Sequence, residues 1–557
     1  MKKIYMLFLA IIVIKSSMVS AQNDMFQNVL RANRRVNAKI VRSSATNQQA
    51  SRPLGVQLSN CDEQRFADKR GSFSKSLKTQ DNGLVHLPAF NQMVFALHTG
   101  NPCDFNNITM GTWPVERKLA NPQAAFAFNL DGPDGWIHTM PAAPSICSAE
   151  TAGEMVELYW HALLRDVFFN HYDTDAGAAV ADLNNLSNFK GPKVNGLVTA
   201  GTLFRGNTPG DLIGPLVSQF LYLPVPYGPD QNFDGGPGGT PGIDFQAQIV
   251  PISSTINDFV TTFTEWLSIQ RGNDPATSII YTDTRIFIRN ARDLGSYVHK
   301  DHPMQSYVNA ALILLYFGAD ALDKNNPYIN NPTQGAFTTY GTPDIIYLVS
   351  VVTEIVLRAA WYQKWLVHRR ARPEYYGFLV NQQITGAQNF CLHSDVINSA
   401  AVSVISWEYG FYFLPLAYPE GSPTHPSYPA GHAVVAGAAT TILKAFFNEA
   451  FVFPESLQPD DTNTILEPYA GTPLTVGNEL NKLASNIALG RDYAGVHYRS
   501  DGTEGILLGE KIAISFLEDE AFTRNIPFKG FSLTKFNGKK ITVGAKKYVK
   551  QLRCCCS

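Results

Sequence analysis

From Ala149 onward, apolar residues recur at three- and four-residue steps in one stretch after another, the spacing of helices that turn one face to a core. In EMVELYWHALLRDVFF (154–169), Met155, Leu158, Leu163 and Val167 keep that step. Further runs of the same kind predict helices over 256–271, 278–298, 304–318, 343–367, 395–411, 431–449, 478–490 and 501–518. Alternation appears clearly in one place, Phe531 to Val543, where Asn537-Gly538 predicts a hairpin turn. The expectation is an all-α protein, bundled helices around one or two cores with a small C-terminal β-hairpin. Before Ala149 the pattern is weaker. Residues 22–120 are rich in Asn, Gln and Ser and predict an irregular arm, and the Pro/Gly-rich stretch 225–242 predicts a polar excursion outside the core.

Composition narrows the function classes. Charged residues make up 17% and the formal net charge is −2, so no polyanion-binding surface is implied and nucleic acid is excluded as a partner class. Lys2 and Lys3 precede an apolar run, Ile4 to Ile14, and Val19-Ser20-Ala21 supplies a small-residue cleavage site. Residues 1–21 therefore predict a signal peptide cut before Gln22, and a secreted or periplasmic protein. No later stretch looks long and apolar enough to span a bilayer. Of seven cysteines, Cys61, Cys103, Cys147 and Cys391 are scattered, and no pairing can be read from them. Cys554, Cys555 and Cys556 close a basic tail, 546–557.

Three short stretches carry the chemistry: KWLVHRRARP (364–373), PSYPAGH (426–432) and GRDYAGVHYRSD (490–501). Together they offer Lys364, Arg372 and Arg491 as cations, Gly431 at a predicted helix start, and the imidazoles of His432 and His497. Cations and close-approaching amides are what an oxyanion needs around its oxygens. Each stretch alone has a bland reading: basic residues near a helix end, a Pro-rich turn, a core histidine. Asp501, four residues after His497, is placed to hold that imidazole if both share a helix face, although the backbone of 495–497 could do so instead.

These stretches, with GEMVELYWHALLRD (153–166), GTLFRG (201–206), YVHKD (297–301), LVSVVTEIVLRA (348–359), EGSPTHPSYPAGHAVVAG (420–437), TILKAFF (441–447), ELNKLASNIALGRDYAGVHY (479–498) and ILLGE (506–510), resemble the vanadium bromoperoxidases of red algae and their bacterial relatives. The likeness runs from about 125 to 543, so that 121–545 is read as the catalytic region. It implies two four-helix bundles, one vanadate per subunit and a homo-oligomer. It further implies that His497 is the axial ligand of vanadium and that Lys364, Arg372, Arg491 and the Gly431 amide hold the oxygens. His432 becomes the acid/base group, and Asp301 a carboxylate orienting Arg491. His425 matches bromoperoxidases, where chloroperoxidases carry an aromatic residue. Trp361 stands where red-algal enzymes have Arg, and Ala430 where the family has a vanadate-binding Ser.

The activity so implied is oxidation of bromide or iodide by hydrogen peroxide at a vanadate that keeps its oxidation state. His432 transfers protons and Lys364 polarises peroxide. The hypohalous acid formed then halogenates small organic acceptors. Two alternatives stay open at this stage: an acid phosphatase using the same pocket, and a weakened or non-catalytic homologue on account of Ala430.

Overall fold

The computed structural model describes residues 2–226, 248–251, 258–279 and 281–544, so the excursion beyond residue 226 and the tail 546–557 lie outside the described residues. Helices are the dominant regular structure of the described residues, in agreement with the periodicity. Helix α1 is Lys2–Ala50, α2 Leu87–Thr99, α3 Ala149–Leu163, α4 Gly177–Asn184, α5 Phe263–Gln270, α6 Ala291–Tyr297 and α7 Gln305–Tyr316. They are followed by α8 Thr342–Tyr362, α9 Pro373–Ile384, α10 Ala400–Tyr409, α11 Gly431–Phe446, α12 Val476–Tyr493 and α13 Arg499–Thr523. Helix α11 is the hub: it packs against α13, α8, α12 and α7. A second group gathers α3, α4, α9 and α10, and α3 touches α12 to join the two.

Several helix ends follow from local chemistry. Ser148 accepts the Thr151 amide at the start of α3, and the Thr262 hydroxyl accepts the Glu265 amide at the start of α5. The run 395–411 is split at Ser399, whose hydroxyl accepts Ala401 N–H and opens α10. The run 278–298 departs from expectation. Its first part, Tyr281–Ile286, is strand β2, paired antiparallel with β1, Gln248–Pro251. Thr282, Thr284 and Ile286 alternate and are β-branched, and Asn290 then caps α6 by accepting Asp293 N–H. Two further strand pairs are β3 Leu457–Pro459 with β4 Leu466–Pro468, and β5 Phe531–Thr534 with β6 Lys540–Val543, the hairpin expected from its turn.

The polar stretch 22–50, expected to be irregular, is helical throughout as part of α1. Neither Pro nor Gly occurs between Lys2 and Ala50, and Pro53 and Gly55 follow just beyond the end. Its last turn is tied to α13, where Gln49 donates to Asp519 at 2.7 Å. Thr342–His368 also corrects an expectation. These 27 residues, at mean hydropathy 1.6, are long and apolar enough to cross a membrane by length and composition, yet half of the span is buried within the protein. Here it serves as a core helix against α7, α11 and α13.

Candidate active site

The end of α8 winds into a single π-helical turn, Gln363–His368, which closes at Arg369 in the left-handed region (φ 43°). Such a turn shifts the side chains that follow it, and it is here that Lys364 enters the core. Lys364 is fully buried and donates to the carbonyls of Pro426 (2.7 Å) and Ser427 (2.9 Å). Burial, followed by the neighbouring Arg372 and Arg491 charges, pushes its ammonium well below the usual range. Arg372 sits in extended backbone just before Pro373 opens α9. It donates to the carbonyls of His425 (2.9 Å) and Val496 (2.7 Å), to His497 Nε2 (2.9 Å) and to His425 Nδ1 (2.9 Å). Burial and Arg491 bring its pKa down to about 9.

His497 lies in the turn between α12 and α13, not on a helix face shared with Asp501. Asp501 reaches it from the first turn of α13, where its carboxylate also accepts Tyr498 N–H (3.1 Å). His497 Nδ1 is 2.8 Å from Asp501 Oδ2. The other Asp501 oxygen accepts from Arg370 (2.9 Å), and Ser427 donates a short hydrogen bond to Oδ2. A carboxylate so charged and so placed keeps the imidazole proton on Nδ1 and leaves a lone pair on Nε2. Burial, then Arg372, Lys364 and Arg491, pushes the His497 pKa well down, which keeps the ring neutral.

Arg491, near the end of α12, donates to Val298 O (2.7 Å) and Tyr418 OH (3.3 Å), while its Nε is buried without a partner among the described residues. Asp301 does not orient it directly, as the resemblance implied. The Asp301 carboxylate is instead 2.9 Å from His432 Nε2, and Arg491 reaches it only as a nearby charge. Although burial pushes the Asp301 pKa up, His432 and Arg491 outweigh it and hold the carboxyl below its usual range. His432 is the more open of the two imidazoles, its side chain 28% exposed against 2% for His497.

Gly431 opens α11, and the amides of Gly431 and His432 have no acceptor among the described residues. Ala430, fully buried, precedes them and donates its own amide to Asp501 O (2.9 Å). The Trp361 ring approaches Gly431 and lies 4.8 Å from the His425 ring between centroids. The structure thus gathers all ten expected residues about one pocket. Sequence reasoning missed Arg370, Ser427 and Glu154. Arg370 is braced between Asp501 and Glu154 (2.8 Å) and lies over the Tyr498 ring, so it fixes the carboxylate that fixes His497. A lone Arg or Ser in a polar loop carries no signal of such a role.

Whether an oxyanion fits here is decided by the pocket's own imbalance. Burial and the neighbouring positive charges lower the protonation of Lys364 and Arg372, the Arg491 Nε and two helix-start amides lack acceptors among the described residues, and the Nε2 lone pair of His497 faces these cations. An anion with a metal at its centre satisfies both demands at once.

Comparison with known proteins agrees. A family model described as the VCPO second helical-bundle domain matches residues 397–522. A vanadium-dependent bromoperoxidase of Corallina pilulifera is 34% identical over 547 residues, covering 85% of this chain and 90% of that one. The chain belongs to the vanadium-dependent bromoperoxidase family. A bromoperoxidase of Ascophyllum nodosum is 35% identical over 482 residues, with 82% and 83% of the two chains covered. The solved homohexameric second vanadate-dependent bromoperoxidase of the same alga superposes with a TM-score of 0.82 at 28% identity. It covers 92% of this chain and 90% of that one. The bromoperoxidase likeness therefore spans both helical groups, beyond the bundle matched by the family model.

Proposed function

We propose that this chain oxidises bromide with hydrogen peroxide in a vanadate-dependent reaction and releases hypobromous acid that halogenates small organic acceptors. The observation that carries the reading is His497, an imidazole held neutral by Asp501 on Nδ1, with the lone pair of Nε2 turned toward Arg372 among three buried cations. The net change is Br− + H2O2 + H+ → HOBr + H2O: bromide loses two electrons, the O–O bond takes them, and one proton is consumed. When bound, vanadate supplies a Lewis-acidic centre that activates peroxide toward halide without changing its own oxidation state.

The chain's residues have separate tasks. Lys364, Arg372 and Arg491, with the free amides of Gly431 and His432, would hold the oxyanion, and His497 Nε2 would ligate the metal. His432 is anchored to Asp301 through Nε2, so Nδ1 is the nitrogen that takes up and returns the proton. Trp361 and His425 form the wall beside the Gly431 amide, and we infer that they bear on halide choice, with iodide accepted as well as bromide. The homohexameric relative supports a homo-oligomer, and the N-terminal pattern supports a secreted or periplasmic protein.

Metal-free protein given peroxide and bromide, with and without orthovanadate, tests this. Bromination of a phenol indicator is expected only after vanadate is added, and inorganic phosphate should compete with the rescue. Full activity in protein shown by elemental analysis to hold no vanadium would overturn it. Turnover of p-nitrophenyl phosphate with no halide oxidation would make the pocket a phosphatase.

A further inference from the structure

A separate cavity of about 220 Å³ lies between α12, α13, the 206–208 loop and the β5–β6 turn. Its floor is Asp492. This side chain is 1% exposed, and both carboxylate oxygens lack a hydrogen-bond partner among the described residues. The neighbouring cation, Arg499, is already committed: it pairs with Glu157 through Nε (2.8 Å) and Nη2 (2.5 Å) and donates to Arg205 O (3.1 Å). Glu157, Glu154 and Asp501 add negative charge nearby, and burial pushes Asp492 far above the usual carboxylate range. Burial without a partner favours the protonated carboxyl, and a cation delivered to the cavity would hold it as a carboxylate.

Arg499 lines the cavity too, with its guanidinium held by Glu157 and the Arg205 carbonyl, and two hydroxyls beside Asp492 add acceptors. Ser485 Oγ donates to Asp211 (2.9 Å) and so does Thr208 Oγ1 (2.7 Å), so both hydroxyls have spent their protons and present lone pairs. Ile506, Leu507 and Ala488 line the apolar walls above. A ligand matched to this lining carries donors only at one end and hydrocarbon at the other. We propose that the cavity binds a small aliphatic primary ammonium, its –NH3+ on Asp492 and its alkyl chain between α12 and α13. The proposal stands apart from the peroxidase site, and neither depends on the other.

Titration calorimetry of the full-length protein with n-butylammonium chloride tests it, with 1-butanol and sodium chloride as matched controls. Saturable binding is expected, weakened at least about tenfold by Asp492→Asn because a charge-assisted bond is lost. Thr503→Tyr, which fills the cavity from α13 at a half-buried position, should abolish it. Thermal unfolding of both variants establishes that they are folded, so loss of binding can be read directly. Absence of saturable butylammonium binding, equal affinity in Asp492→Asn, equally tight 1-butanol, or a sodium response of the same size and the same Asp492 dependence would each overturn the proposal.

Discussion

His497 and His432 are chemically the same side chain in two different electrostatic settings, and the difference predicts different losses. His497 is buried, neutral and aligned by Asp501, with Nε2 facing Arg372. His432 is partly open and tied to Asp301. His497→Ala is expected to abolish bromide oxidation and to release vanadate, whereas His432→Ala retains vanadate and slows turnover by about 10²–10⁴-fold, the usual worth of a proton-transfer group. Vanadium content after gel filtration, measured beside the rate, separates the two, and equal metal loss in both would show the roles misassigned. Ala430 stands where the resemblance implies a vanadate-binding Ser. Its methyl group stands, fully buried, at the entrance to α11, beside two amides that lack acceptors. Ala430→Ser restores a hydroxyl donor there, and vanadate affinity should rise by up to about tenfold, as one added hydrogen bond allows. Titration of the metal-free variant, followed by activity, measures it; unchanged affinity would mean that the hydroxyl does not face the oxyanion.

Elements hold these residues in place, and α11 against α13 is the decisive contact. A Cβ on Gly509 would run into the Val434 carbonyl and stand 2.7 Å from the Ala438 nitrogen, and one on Gly437 would strike the Ile506 carbonyl. The two backbones touch because both positions lack a side chain. Gly509→Ala is therefore expected to lose about 1–3 kcal/mol, the usual result of overpacking, seen as a lower Tm, with weaker vanadate binding because Asp501 and His432 ride on these two helices. The far end of α11 carries a different strain. Lys444 is fully buried, 3.3 Å from Thr534 O and 3.8 Å over the Phe536 ring, and burial lowers its pKa to about 8 despite Glu449 and Glu510 nearby. Between about pH 8 and 10.5 the unfolded chain holds the proton that the folded chain has lost, so stability rises with pH through that window. Below it the charged form costs up to about 3 kcal/mol. Lys444→Met should be the more stable form near neutrality, and its advantage should shrink as pH climbs from 8 to 10.5; a constant Tm difference across that range would refute the assignment. Helices such as α11, α12 and α13 were legible in the sequence because long apolar stripes leave little choice. The strand Tyr281–Ile286 was not, since a short apolar run fits either period and its partner is far away in sequence. Nor was the π turn at Gln363–His368, which looks in sequence like a plain continuation of α8.

For the whole molecule, the site joins pieces remote in sequence: Lys364 and Arg372 from the end of α8, His432 from α11, Arg491 and His497 from the α12–α13 corner, and Asp301 from beyond α6. The sequence offered these residues as one cradle through three short motifs, and the fold brings the motifs together. Their hydrogen bonds were not legible there, since Asp301 chooses His432 over Arg491 and Arg370 reaches Asp501 only through the packing of α3, α9 and α13. The closed fold therefore brings three cations together at a net cost, visible in the lowered protonation of Lys364 and Arg372. An oxyanion that binds the folded chain and not the unfolded one must repay that cost as stability. At a free concentration about 100 times its Kd, vanadate is expected to stabilise the protein by ~2.7 kcal/mol. Phosphate, alike in charge and shape but without a metal for His497 to ligate, should bind more weakly and raise the melting temperature less at equal concentration. His497→Ala should then bring the two anions closer together by lowering the vanadate effect alone, since Lys364, Arg372 and Arg491 serve both. Differential scanning fluorimetry across an orthovanadate and a phosphate series decides it. An unchanged melting temperature with vanadate would mean that these cations do not form an anion site in the folded protein.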